Sequence, residues 1–246
     1  MPNKLKQKIT LIGSTGLIGS HFLEEISSDD YQSVNAITRR RISNLENKNF
    51  IKQSVHDFSD LEKMRTDLKT DVLVSALGTT IKKAGSKDEF MKIDHDLPME
   101  ISKIAKEEGC RTMILISSMG ASSISNIFYS RVKGLLEESL EDIGFEEFHI
   151  LRPSLLLGKR TETRPAEHIS KLIIDPLSFL IPWKYRPIHA SIIAKNIMFL
   201  IRENISGKHI WEGRSLFEIK KSFPHQTLNF YFKTTTLVAY LILYTV

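Results

Sequence analysis

Short apolar runs rich in β-branched residues alternate with amphipathic stretches along most of the chain. This alternation predicts a parallel sheet covered by helices on both faces. KITLIG (8–13), SVNAIT (33–38), NFIKQSV (49–55), DVLVSAL (71–77), TMILIS (112–117) and FHILRPS (148–154) read as strands. Helical stretches fall at LIGSHFLEEISS (17–28), DLEKMRTDL (60–68), from Lys87 to about Glu108, and from about Phe128 to Ile143. No repeat or low-complexity linker marks a boundary. Beyond Pro153 the alternation gives way to Pro-interrupted segments, as expected where the C-terminal edge of a sheet grows a substrate-binding lobe. The expected architecture is α/β, a doubly wound parallel sheet over residues 1–219. A small C-terminal lobe is built mainly from 154–219, and an apolar tail covers 220–246.

The first strand runs into LIGSTGLIGS (11–20), three glycines at three-residue intervals ahead of a helix. A strand, a glycine turn and a helix N-terminus form an anion site, because backbone N–H groups and the positive end of the helix dipole point at one spot. The spacing is G-x-x-G-x-x-G rather than the commoner G-x-G-x-x-G, yet it suits the diphosphate of a dinucleotide on a Rossmann-type sheet. Gly13 permits the turn, Gly16 lets the cofactor approach the backbone and Gly19 lets helix and strand pack closely. With Ser14, Thr15, Leu17 and Ile18 they are the first cofactor-binding candidates.

At the end of the second strand, AITRRR places Arg39 and Arg40 where such folds read the adenosine ribose, while Arg41 reads better as a solvated loop residue. Arginine there suits a 2′-phosphate, so NADPH is expected over NADH. Asp57, with Phe58 beside it, follows the third strand and either contacts the adenine or caps the helix starting near Ser59. Leu77, Gly78 and Thr79 in SALGTT (75–80) are the small and hydroxyl-bearing residues that close passage of a cofactor demands.

The segment ISSMGASSISNIFYSRVKGLLEE places Tyr129 and Lys133 four residues apart, on one face of a helix, just after a strand that closes with Ser117 and Ser118. Carbonyl reduction by hydride needs a proton for the developing alkoxide, and a phenol supplies it best beside a cation that favours its ionised form. Lys133 fills that role and also holds the nicotinamide ribose, while a serine hydroxyl stabilises the growing charge on oxygen. Ser118 has the better spacing, with Ser117, Ser122 and Ser123 as alternatives.

These motifs together resemble the atypical, NAD(P)H-binding branch of the short-chain dehydrogenase/reductases. LGTTIKKAGS, FMKIDHD, SNIFYSRVKGLLEE and LRPSLLLGKRTETRPAE are similar to the Tat-interacting protein oxidoreductases and their bacterial relatives. The likeness runs from about residue 8 to about 218 and implies an NADPH-binding protein with Tyr129 and Lys133 at the active position. It further implies Arg152 and Pro153 near the nicotinamide and a substrate-side cluster of Arg160, Glu162, Arg164 and Glu167, charges that also suit a surface salt-bridge network. His189 resembles a helix-opening histidine and reads as structural.

Composition changes this picture little. Apolar residues at 41% and charged residues at 26% are ordinary for a globular protein, which excludes disordered and fibrous classes. A net charge of +5 is too dispersed to argue for nucleic acid, and it suits a cleft for a phosphorylated small molecule equally well. The single cysteine, Cys110, rules out an intrachain disulfide or a thiolate zinc site, and the histidines form no metal-binding pair, so no metal is expected. With no signal-peptide core after the N-terminus, the expectation is a cytoplasmic protein. The tail from Leu228 would reach only ~28 Å as a helix, which disfavours a membrane span and leaves an extension, a peripheral anchor or a shifted reading frame. The partners expected are a small carbonyl substrate and, as one option, a second copy in a homodimer. Three functions compete: a carbonyl reductase, an NADPH-occupied module that switches a protein partner, and a nucleotide-sugar epimerase or dehydratase.

Overall fold

The computed structural model describes residues 6–28, 31–45, 48–158 and 182–222. Seven strands form one parallel sheet: β1 Lys8–Ile12, β2 Ser33–Thr38, β3 Ile51–Val55, β4 Val72–Ser75, β5 Thr112–Ile116, β6 Glu147–Arg152 and β9 Gly207–Glu212. Their spatial order is β3-β2-β1-β4-β5-β6-β9. The order reverses between β1 and β4, the switch point where doubly wound sheets open a crevice at their C-terminal edge. The helices are α1 Leu17–Glu25, α2 Ile81–Ala84, α3 Lys87–Met91, α4 Leu97–Glu107, α5 Phe128–Asp142, α6 Ala190–Glu203 and α7 Arg214–Glu218.

The strands read as apolar runs because both faces are covered. Ile9, Leu11, Val34, Val72, Val74 and Ile114 face α1 and α6, where Phe22, Ile193 and Ile197 complete one core. Ile12, Ile37, Leu73, Met113, Phe148 and Ile150 face the opposite way and meet Ile101 of α4 and Leu136 of α5. Lys48 closes the C-terminal end of α1, its ammonium donating to the carbonyls of Leu23 (2.7 Å), Glu24 (2.6 Å) and Ile26 (3.3 Å).

Two departures from the sequence reading have local causes. The helix expected over 60–68 is a 3₁₀ helix, Leu61–Leu68, whose N-cap Asp60 makes no capping hydrogen bond. The helix expected from Lys87 to Glu108 contains a π-turn at Lys92–Asp96 between α3 and α4. Pro98 explains it: it has no N–H for the Asp94 carbonyl and its ring crowds that carbonyl, so the turn widens. Within 154–219, β9 joins the main sheet and α6 covers it. The two-stranded pair β7 Leu156–Leu157 and β8 Ile188–His189 stands outside that sheet. His189 is the N-cap of α6, without a side-chain capping bond. Arg160, Glu162, Arg164 and Glu167 lie outside the described residues, as does the tail beyond Ser222. Among the described residues, no helix is long and apolar enough to cross a membrane, and no group of side chains could hold a metal ion.

Candidate active site

The glycine turn is built by close contact. Gly13 takes a left-handed backbone (φ 84°), and a Cβ there would lie 2.4 Å from the Ala76 backbone at the end of β4. A Cβ on Gly19 would lie 2.3 Å from the Gly13 carbonyl oxygen, so α1 reaches the turn only because that position is bare. Gly16 caps α1 with no side-chain hydrogen bond, leaving the N–H groups of the first turn for another acceptor. The Ser14 hydroxyl is turned inward to the Ile37 carbonyl (3.1 Å), so Ser14 offers the turn its backbone only. Thr15 is exposed, Ile18 is part of the core, and the Leu17 side chain meets Gly158 just after β7.

Arg39 and Arg40 are exposed directly after β2, where the Thr38 hydroxyl fixes the bend by donating to the Arg40 carbonyl (2.7 Å) and accepting its N–H (3.2 Å). Asp57 accepts both the N–H (2.9 Å) and the hydroxyl (2.7 Å) of Ser59, which hold its carboxyl below the usual carboxylate range. Its exposed carboxylate therefore serves the local turn. Phe58 has φ 65°, which costs an aromatic residue on the order of 1 kcal/mol. Its half-buried ring packs on the core facing α4 and α5, which offsets that strain.

Ser117 and Ser118 point to different neighbours. Their segment is pinned to the end of β6 by the Ser117 N–H to the Leu151 carbonyl (2.8 Å) and the Met119 N–H to the Pro153 carbonyl (2.9 Å). The Ser117 hydroxyl donates to the buried Glu137 of α5 and is thereby occupied. The Ser118 hydroxyl oxygen is buried with no hydrogen-bond partner among the described residues. Arg152 ends β6 with its guanidinium turned to carboxylates, Nε to Glu137 at 3.0 Å, Nη2 to the same carboxylate, and Nη1 to Glu212 at 3.4 Å. It braces the ends of β6 and β9, and these partners raise its proton affinity further.

Tyr129 and Lys133 share one face of α5. The Tyr129 ring, half-buried, packs on Phe90 of α3 with centroids 5.6 Å apart. Lys133 is buried, its Nζ 2.7 Å from Asp94 Oδ1 in the π-turn, a contact of charge rather than of hydrogen-bond direction. The other Asp94 oxygen accepts the Thr79 N–H at 2.8 Å, tying the 77–79 segment to the lysine. Gly134 lets α5 reach the loop after Ser118, since a Cβ there would fall 2.2 Å from the Ser122 and Ser123 backbone. Asp94, Gly134 and Glu137 were not singled out by the sequence reading. A glycine inside a helix, and a carboxylate one turn after Lys133, were the available signs.

These residues fit a dinucleotide: a bare turn at the switch point, an unpartnered serine hydroxyl and a buried lysine lie along the C-terminal edge of the sheet. They define a Rossmann-type α/β protein. Its chain belongs to the HIM1 family, whose family model matches residues 23–184. Among curated relatives, the mitochondrial protein fmp52 of Emericella nidulans is 37% identical over 175 residues, covering 69% of this chain and 75% of its own. The mitochondrial FMP52 of Candida albicans is 37% identical over 158 residues, 62% and 69% of the two chains. These names overturn the cytoplasmic expectation. Similar solved structures include Bordetella bronchiseptica WbmG in complex with NAD (TM-score 0.65, 14% identity, 86% of this chain and 74% of that one). The UDP-Glc/GlcNAc 4-epimerase of Campylobacter jejuni is also similar (TM-score 0.63, 18% identity, 88% and 82%). At such identity the likeness is one of fold.

Proposed function

We propose that the chain is an NADPH-dependent reductase of small carbonyl compounds that works in mitochondria. The observation that carries the reading is the grouping at one sheet edge of the unpartnered Ser118 hydroxyl with Tyr129 and the buried Lys133. A bound reduced nicotinamide supplies hydride to the carbonyl carbon. Free backbone N–H groups of the glycine turn and the first turn of α1 would hold the diphosphate, and Arg39 and Arg40 would hold the 2′-phosphate. The Ser118 hydroxyl donates to the carbonyl oxygen and stabilises the charge that develops there, and Tyr129 delivers the proton that makes it an alcohol. Lys133 would orient the ribose. The likeness of the site motifs to the Tat-interacting oxidoreductases supports this chemistry, and the mitochondrial names of the relatives support the location.

The test is titration with NADPH and NADH, then a panel of aldehydes and ketones followed by loss of reduced cofactor. Tyr129→Phe should cut turnover by at least about 100-fold while NADPH affinity stays within about threefold. Full turnover in that variant, or tighter NADH binding with both arginines intact, overturns the assignment. The nucleotide-sugar epimerases among similar folds, one of them crystallised with UDP-glucose, favour a second reading as an epimerase. That reading expects NAD retained through purification and no preference for a 2′-phosphate.

A further inference from the structure

A carboxylate, an imidazole and a hydroxyl are joined in line where the π-turn meets α5, and the reductase reading uses none of them. His95 Nδ1 lies 2.8 Å from Asp96 Oδ1, and its Nε2 lies 3.2 Å from the Ser139 hydroxyl near the C-terminal end of α5. An ionised carboxylate only accepts hydrogen bonds, so Nδ1 carries the ring proton and Nε2 presents its lone pair to the hydroxyl, which donates. The imidazole is thereby held in the tautomer of a general base, with a nucleophile at one nitrogen and an orienting carboxylate at the other. His95 and Ser139 are half-buried, and Ser139 stands ~15 Å along the helix from Tyr129. The Asp96 side chain is 46% exposed, so it orients the ring less firmly than a buried carboxylate would.

Ser139 opens onto a groove of about 430 Å³ between α4 and α5, lined also by Met99, Lys103, Asp142 and Ile143. Two further charged residues of its lining are committed: Lys106 stands over the Phe145 ring at 5.5 Å, and Glu107 meets Arg65 at 3.0 Å. Lys103 and Asp142 remain, with opposite signs. A neutral substrate suits that pair better than an ion of either sign, and Met99 and Ile143 offer it apolar surface. Lys103 is the cation in reach of the groove for charge that develops on an oxygen there.

We propose that Ser139, His95 and Asp96 form a second active site, one that hydrolyses small neutral carboxylic esters. Ser139 Oγ bonds to the ester carbonyl carbon while its proton passes to His95 Nε2. The bond from that carbon to the alcohol oxygen breaks, and the proton leaves with the alcohol. Water then attacks the acyl-serine by the same route, giving up a proton through Nε2, so that the acid departs and the hydroxyl is restored. Nothing is oxidised or reduced, and the site is independent of the nicotinamide chemistry proposed above.

The test is labelling of the full chain by a fluorophosphonate, mapped by peptide mass spectrometry, beside hydrolysis of p-nitrophenyl acetate. The folded wild-type protein should carry the label on Ser139, and the urea-unfolded chain should not. Ser139→Ala, a substitution that favours a helix, should remove the label and cut hydrolysis at least about tenfold. Asp96→Asn should slow labelling at least about fivefold by loosening the ring. NADPH affinity should stay within about threefold in both variants, since neither residue is assigned to the cofactor. A wild-type chain unlabelled at Ser139, or hydrolysis at the wild-type rate in Ser139→Ala, overturns the proposal, and the first of these needs no variant to fold. A chain that labels at Ser139 yet reduces no carbonyl compound removes the reductase reading alone.

Discussion

His149 makes acid stability a measurable property of this fold. It sits in the middle of β6 in register with His209 of β9, fully buried, with the two rings stacked at 5.4 Å. Neither ring nitrogen has a hydrogen-bond partner among the described residues. Burial, and then the neighbouring His209, push its pKa down from 6.5 to about 4. The unfolded chain therefore takes up this proton more readily than the folded one, and stability is greatest above the unfolded value and lost as pH falls toward the folded one. For these two values the linkage relation gives a loss of about 2 kcal/mol between about pH 7.5 and about pH 5. The perturbation is His149→Leu, which removes the titration and an unsatisfied buried polar ring together. At neutral pH the variant should be no less stable than wild type, because no hydrogen bond is lost. Urea unfolding at the two pH values, for both proteins, gives the difference of differences directly. Parallel pH dependence in wild type and variant would refute the reasoning, since every other titratable group is common to both.

Other substitutions probe the site's framework. Gly134→Ala places a methyl 2.2 Å from backbone atoms of Ser122 and Ser123, so thermal melting should show a loss of about 2 kcal/mol or more, with turnover reduced as the loop after Ser118 is displaced. Arg39→Ser with Arg40→Ser should weaken NADPH binding at least about tenfold and leave NADH binding nearly unchanged, as read by calorimetric titration. Glu137→Ala leaves the Arg152 guanidinium with the longer Glu212 contact and frees the Ser117 hydroxyl. Unfolding in denaturant should show a cost of about 3 kcal/mol, and a neutral result would mean that solvent reaches Arg152 as well as Glu137 does.

Much of the sheet was legible because parallel strands buried on both faces are written as continuous apolar runs, as in TMILI of β5. β9 was harder: GKHIWE carries two exposed residues at its start and an exposed Ile210, the mixed pattern of an edge strand. The glycine turn and the Tyr129–Lys133 spacing were legible because each is local. Asp94 was not, for two reasons. In KIDHD it looks like part of a solvated charged face, and the π-turn at Pro98 shifts the helical phase by which its direction would be judged. That the Ser117 hydroxyl is occupied was not legible, because its partner Glu137 lies 20 residues away along the chain and reads there as an ordinary helix-surface charge.

The Phe90–Tyr129 and Asp94–Lys133 contacts between α5 and its neighbour act as a ratchet stop. Were α5 to slide by one turn, Lys133 would come opposite the Phe90 ring while Asp94 lost its cation, stranding two charges in a dry interior. A seam of leucines would tolerate that slip; a hydrocarbon step beside a charged one does not. Helix α5 is thus locked against axial drift by unlike chemistry at successive contacts, so its tyrosine and lysine keep their places without help from a bound ligand.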